Sequence, residues 1–363
     1  MAEWSRIVNT TIAKYMREEE VNILRNRKLL ALLKSRGRIK MNLSGDKYVK
    51  RVRYKRAPMV GYADGDTLTF SRRDRWKTTE LDWRGYSVTD AMSVKERLMN
   101  KSTEAIIDIY AQLAESLKDD IDDQFGDELY VDGNATGNNK KIHGIESFFG
   151  NGGAAAAGYI ASPSDTYANL STVLGNYGGS WSSNGSSQIE WPTGTGDAHY
   201  DFWSPLIVDY TDTLWAASSD TWANNCTEAM RYGIIHSKKN KTKKGELDYI
   251  SLTGEMYRAY LNTLDPKQQI NINQNQGTGL LSLGFQDVTR FDGVEVTWEY
   301  GQPQGVGYGV NVDYIELNSL QGQLFETVGP DFDIATQTWR TMIRFFGNAW
   351  FNPRYQLKFA AVT

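Results

Sequence analysis

The chain has 363 residues, of which 40% are hydrophobic, 12% aromatic and 23% charged, with a formal net charge of −4. This composition excludes a mainly disordered chain, and the length supports a substantial core in about two domains. No apolar run long enough to span a membrane is present, Met1-Ala-Glu-Trp-Ser-Arg6 lacks the apolar stretch of a secretory signal, and a lone Cys226 excludes a disulfide framework, as expected for a reducing cytoplasm.

In chain order, the first predicted element is an amphipathic helix. Trp4, Ile7, Val8, Ile12 and Tyr15 fall near one face, and Ile23, Leu24, Leu30 and Leu33 continue further on. Residues 46–88 then read as a long two-stranded hairpin. One strand begins Lys47-Tyr-Val-Lys-Arg-Val-Arg-Tyr-Lys-Arg56, a turn falls at Ala63-Asp-Gly-Asp66, and the second runs from Leu68 to Tyr86. Such a charged hairpin has no core of its own and cannot be stable alone. Its aromatic residues Tyr54, Phe70, Trp76, Trp83 and Tyr86, together with its arginines, therefore call for a partner surface.

A helix of about thirty residues follows, Val94 to Phe125. Val94, Leu98, Ile106, Ile109, Leu113, Leu117, Ile121 and Phe125 form one apolar stripe, mostly at four-residue spacing. Ser93 and Glu96 have the spacing of a capping box, and Gly126 is read as a stop signal. At ~1.5 Å per residue this helix runs ~48 Å, longer than a compact domain of this size needs. An arm, an extended hairpin and a long helix suggest a subunit that reaches over its neighbours.

From Asn151 the chain becomes rich in Gly, Ser and Thr, yet five of its eleven tryptophans lie before Cys226: Trp181, Trp191, Trp203, Trp215 and Trp222. Large rings at that density argue for ordered loops that bury them. A helix is expected over Thr227–Ser237, a buried strand over Leu247–Leu252, and a helix from about Glu255 ending before Pro266. The remainder is strand-rich, with Val294–Tyr300, Tyr308–Leu317, Thr338–Phe346 and Trp350–Ala360, and Gly347-Asn348 as the turn between the last two. The chain mixes a long helix with antiparallel sheet, an α+β arrangement.

Charge is segregated. Arg36, Arg38, Lys40, Lys47, Lys50, Arg51, Arg53, Lys55 and Arg56 crowd one stretch against Asp46 alone, and Lys238–Lys244 is a second basic run. Between Asn151 and Cys226 no Lys or Arg occurs, while Asp165, Glu190, Asp197, Asp201, Asp209, Asp212 and Asp220 do. That pattern suits a protein that meets copies of itself through complementary patches and a polyanion on one side.

Signals for chemistry are sparse. His143, His199 and His236 are the histidines, without a nucleophile elbow, zinc spacing or nucleotide-phosphate loop around them. Asp132-Gly-Asn-Ala-Thr-Gly137 copies half of a calcium loop but places His143 where a bidentate glutamate is needed. Glu190-Trp191 and Asp201-Phe-Trp203 support, as an alternative, a glycan-active enzyme or lectin. A compact basic nucleic-acid module disagrees with the pI of about 5.6. We therefore expect no enzyme activity, no cofactor and no metal.

Several stretches resemble the major capsid proteins of tailed bacteriophages with the HK97 fold. They are Leu33-Lys-Ser-Arg-Gly-Arg-Ile-Lys40, Gln124-Phe-Gly-Asp-Glu-Leu-Tyr-Val-Asp-Gly-Asn134, Ile142-His-Gly-Ile145, Tyr177-Gly-Gly-Ser-Trp181, Tyr200-Asp-Phe-Trp-Ser-Pro-Leu-Ile207, Leu252-Thr-Gly-Glu-Met-Tyr257 and Phe291-Asp-Gly293. The resemblance runs in that family's order from about residue 30 onward. It implies an N-terminal arm at 1–45, an E-loop at 46–88 and a peripheral domain with its spine helix at 89–140. An axial domain at 141–325 and a return to the peripheral domain at 326–363 complete it.

By the same resemblance, the protein would form hexamers and pentamers of an icosahedral head around double-stranded DNA, assembled in the bacterial cytoplasm. A portal protein, and a separate scaffolding protein or none, would be partners, without removal of the arm. An encapsulin-like nanocompartment shell is the alternative within the class. Arg51, Arg53, Phe70, Arg72, Arg73, Arg75 and Trp76 of the hairpin are expected at subunit interfaces. There the arginines would meet Asp119, Asp120, Asp123 and Asp127 of a neighbour, where the helix dipole disfavours negative charge. Arg25, Arg27, Lys28 and Lys34 are expected to face the lumen and touch DNA without reading its sequence. The tryptophan-rich region is expected to pack internally with its acids in solvent, the alternative being a platform for a decoration protein or a host glycan.

Overall fold

The computed structural model describes residues 27–54, 59–72, 74–99, 109–150, 160–161, 165–173, 202–211, 215, 221–238, 246–264, 287–322 and 324–361. Two sheets organise them. The first is built on one long strand, β15 (Thr338–Phe351), in which Thr341, Ile343 and Phe345 are buried while Arg340, Met342, Arg344 and Phe346 are not, the alternation of a half-buried sheet position. Along one edge β15 pairs with β4 (Arg84–Ser93), and along the other with β14 (Glu326–Asp333) and then β13 (Ile315–Leu320). β1 (Ile39–Leu43) adds to β13 in parallel. The sequence placed Gly347-Asn348 in a hairpin turn, but β15 runs straight through it. A Cβ on Gly347 would approach the Asn318 carbonyl oxygen to 2.2 Å, so glycine serves close strand approach here.

Two helices lie on this sheet, α2 (Val94–Met99) and α3 (Ile109–Glu128); the expected helix from Val94 to Phe125 also spans residues 100–108, which lie outside the described residues. Ser93 and Glu96 form the expected capping box, Ser93 N–H donating to Glu96 Oε2 at 2.9 Å and Glu96 N–H to Ser93 Oγ at 3.2 Å. Of the expected stripe, Leu117 and Ile121 are buried and pack on Ile343, and the buried Phe125 meets Tyr86, Phe325 and Phe345, whereas Leu98 is exposed and the burial of Ile106, Ile109 and Leu113 lies outside what is described. Gly126 does not stop the helix, which continues to Glu128.

The second sheet has seven strands in the order β10 (Thr289–Phe291), β11 (Val294–Trp298), β9 (Tyr249–Leu252), β12 (Gly307–Val310), β16 (Leu357–Ala360), β8 (Leu206–Asp209) and β5 (Ile160–Ala161). It is mixed, because β9–β11 and β8–β16 pair in parallel. Every residue of β8, β9 and β12 is buried, as continuous apolar strands inside a layered core require. Helices α4 (Trp222–Ser237) and α5 (Gly254–Leu264) share a core with this sheet, and α4 starts five residues earlier than expected.

The amino-terminal segment is part of the body from Arg27 onward. Leu29, Leu30, Leu32 and Leu33 of α1 (Lys28–Ser35) are buried in the main core. None of the described helices is long and apolar enough to cross a membrane.

Candidate assembly surfaces

The hairpin divides into a root held by its own chain and a tip that is not. In the root, β2 (Lys47–Arg53) pairs with β3 (Trp76–Asp82) over its whole length. Alternation turns Tyr48, Lys50 and Val52 inward and Lys47, Val49, Arg51 and Arg53 outward. Inward, everything converges on the buried Glu316: Tyr48 Oη donates to it at 2.8 Å, and the Lys40 and Lys50 ammoniums lie 2.9 and 3.0 Å away. Burial pushes this carboxyl upward, but the two lysines and the tyrosine outweigh it and hold the group below the usual carboxylate range. The Lys50 ammonium also lies 3.5 Å from the Trp350 ring centroid. Tyr54 and Tyr86, expected to seek a foreign surface, instead contact Phe202 and the Phe125–Phe345 pair of their own chain.

The ladder ends at Arg53 and Trp76. Residues 59–72 have no helix or strand, and a turn at Ala63–Asp66 is closed by Asp66 N–H donating to Ala63 O at 3.1 Å. Phe70 is 92% exposed, Met59 99% and Trp76 57%, and Val60, Tyr62 and Leu68 are exposed beside them. A run of large apolar side chains left open to water marks an interaction surface. Arg51, Arg53 and Arg72 are exposed and Arg75 is half-buried; Arg73 lies outside the described residues.

At the acidic end of α3 the partners come from the same chain. Arg27 donates through Nε to Asp123 at 3.0 Å, and through Nη1 to Asp127 at 2.7 Å and to the Tyr300 carbonyl at 3.2 Å. Lys34 pairs with Asp122 at 2.8 Å, and Lys141 with Glu128 at 3.1 Å. Asp119 is exposed and Asp120 half-buried, and no ion pair within the chain reaches either among the described residues. Gly126 makes the Arg27 arrangement possible, since a Cβ there would lie 2.4 Å from Arg27 Cδ.

This corrects the lumen-facing set. Arg27 is buried, and so is Lys28, whose ammonium donates to Thr297 Oγ1 at 2.5 Å and to the Trp298 carbonyl at 2.9 Å. Lys34 is exposed but paired, and Arg25 lies outside the described residues. Much of the following basic run is likewise used internally, with Arg36 on Asp248, Arg38 on Asp313 and Lys47 on Asp82.

Of the five clustered tryptophans, Trp203, Trp215 and Trp222 are buried. Each indole N–H donates to a backbone carbonyl, of Tyr167 (3.2 Å), Asp209 (2.8 Å) and Met256 (2.9 Å) respectively. Trp181 and Trp191 lie outside the described residues. Asp209 departs from the expectation of solvated acids: it is buried and accepts from the Thr211 N–H and hydroxyl. His143 is a buried structural residue, its N–H bonded to Asn348 Oδ1 at 3.0 Å. Burial, with Arg84 beside it, pushes its imidazole down to about 4. In the calcium-like loop, the Asn134 amide donates to the Ser147 and Thr166 carbonyls.

No protein-family model and no curated protein matches the chain. Solved structures do match, over nearly the whole length. The capsid asymmetric unit of cyanophage A-1(L) superposes with a TM-score of 0.61 at 14% identity, covering 97% of each chain. The capsid of cyanophage P-SCSP1u gives 0.53 at 12% identity, over 97% of this chain and 93% of that one. The capsid of a native GTA particle gives 0.52 at 12%, over 96% of both. This chain has the HK97-type capsid fold. Within that capsid fold, sequence reasoning found the hairpin and the helix stripe but missed the Glu316 cluster. The signal available was the two-residue alternation of Tyr48, Lys50 and Val52, which marks an inward face.

Proposed function

We propose that this protein is the major capsid protein of a tailed phage, a structural subunit without catalysis that assembles with copies of itself into a closed head. The single observation that carries this reading is the hairpin tip. Phe70, Trp76 and Met59 are open to water, and a shell of the matched fold gives them an adjacent subunit to cover them. In this reading residues 46–88 are the E-loop and α3 lies in the spine helix. Six- and fivefold rings tile an icosahedral shell around double-stranded DNA, and a portal and a scaffolding or decoration protein complete the particle. With Arg27 and Lys28 buried, neutralisation of DNA falls to other basic side chains. The hairpin's Arg51, Arg53, Arg72 and Arg75 are assigned to a neighbour's surface, with Asp119 and Asp120 as the acids they meet.

Sedimentation velocity of the purified chain tests this. The wild type should sediment as large closed particles, and Phe70→Asp with Trp76→Asp should remain a folded subunit. A wild type that stays monomeric under all assembly conditions, or a double variant that assembles normally, defeats the proposal. Particles that enclose protein cargo in place of DNA would favour the nanocompartment alternative.

A further inference from the structure

Glu299 has no part in the assembly reading, yet it is the meeting point of three elements. It follows β11 and is buried. Its carboxylate accepts from the Leu29 N–H in the first turn of α1, at 3.2 Å, and from the Tyr130 hydroxyl just beyond α3, at 2.9 Å. The charged and titratable groups around it come from every packed element. α1 contributes Arg27 and Lys28; α3 contributes Asp123 and Asp127, which hold Arg27; Tyr249 comes from β9 and Asp287 from the segment before β10. Lys28 is bonded to Thr297 and Trp298 on the strand that leads into Glu299.

We propose that Glu299 is a proton-linked latch for α1, holding the first helical turn against the body of the subunit when neutral and loosening it when ionised. Burial raises the carboxyl from its ordinary 4.5 to about 7, and the hydroxyl of Tyr130, the Leu29 N–H, Arg27 and Lys28 only partly offset this. Once the turn opens and water reaches the group, its affinity for the proton returns to the ordinary value. Opening therefore releases a proton between these limits. The latch is tightest in acid and weakens as pH rises through about 7. With those two values, the opening equilibrium should grow about tenfold from pH 6 to pH 8.

Amide hydrogen exchange on the full chain, corrected for intrinsic rates, measures this opening at Leu29 to Leu33, with α4 as the internal reference. Wild type should open α1 about tenfold more at pH 8 than at pH 6 while α4 is unchanged. Glu299→Gln, which keeps an acceptor and is neutral in both the open and the closed form, should show no pH dependence and hold α1 more closed than wild type at pH 6. Equal wild-type protection of α1 at the two pH values, or a tenfold dependence that persists in Glu299→Gln, overturns the latch. Should that variant fail to fold, carbon-13 labelling of the glutamate carboxyls in wild type decides. One carboxyl titrating near 7 supports the proposal, and none titrating above 6 removes it.

Discussion

Replacing Gly126 by alanine sets two effects of known size against each other on α3. Alanine in place of a helical glycine gains up to about 1 kcal/mol from helix propensity. Against this, the new Cβ would lie 2.4 Å from Arg27 Cδ and 2.7 Å from both Cγ and Nε. Arg27 can retreat only by giving up its bonds to Asp123, Asp127 and the Tyr300 carbonyl. Charge-assisted bonds of this kind contribute about 1.5–3 kcal/mol each, reduced toward about 1 where the carboxylate is partly exposed, as Asp127 is. The clash wins, and Gly126→Ala should destabilise the subunit by about 1–3 kcal/mol. In an Arg27→Ala background the obstacle is gone, and the same substitution should become neutral or stabilising. Urea unfolding of the four proteins gives the cycle directly, with an expected coupling of about 2–4 kcal/mol. Gly126→Ala stabilising the wild type, or acting identically in both backgrounds, would refute the reasoning.

Trp203→Ala should cost about 3–5 kcal/mol and reduce the yield of soluble subunit, because a fully buried ring and its bond to the Tyr167 carbonyl are both lost; a change below 1 kcal/mol in urea unfolding would contradict this. Glu316→Ala should leave the half-buried Lys50 without its counter-charge and cost about 1–2 kcal/mol, with hydrogen exchange rising in β2 and β3 before the rest of the sheet. His143 is held neutral in the fold, with its pKa lowered from 6.5 to about 4, so its contribution to stability is complete above pH 6.5 and is lost as pH falls toward 4. It should remove about 2 kcal/mol between pH 7 and pH 5, and a His143→Gln variant should lose that part of the pH dependence.

What could be read from the sequence was local. Leu117, Ile121 and Phe125 recur every four residues, and Ser93 and Glu96 are three apart, so stripe and cap follow from chain geometry alone. The exposed hairpin tip was legible for the complementary reason, since no neighbouring stretch offers it an apolar face. The misreadings at Gly126, Gly347-Asn348, Arg27 and Lys28 involve partners far along the chain. Gly126 looks like a helix stop until Arg27, about a hundred residues earlier, is seen to lie against it. Gly347-Asn348 looks like a turn until the Asn318 carbonyl is found beneath it. Arg27 and Lys28 read as part of a solvated basic arm because the acceptors that bury them, on α3, on β11 and just beyond β11, are separated from them by 96 to 273 positions.

The central claim is that the tip of the hairpin belongs to a neighbour. Cryo-electron microscopy of the assembled protein, at a resolution that places side chains, tests it most directly. Closed icosahedral shells are expected, with Phe70 and Trp76 buried against an adjacent subunit and Arg51, Arg53 or Arg72 within hydrogen-bonding distance of that subunit's acids. Shells in which Phe70 and Trp76 face solvent or fold onto their own chain would contradict the account of the hairpin, and a protein that forms no shells would contradict the assembly reading itself.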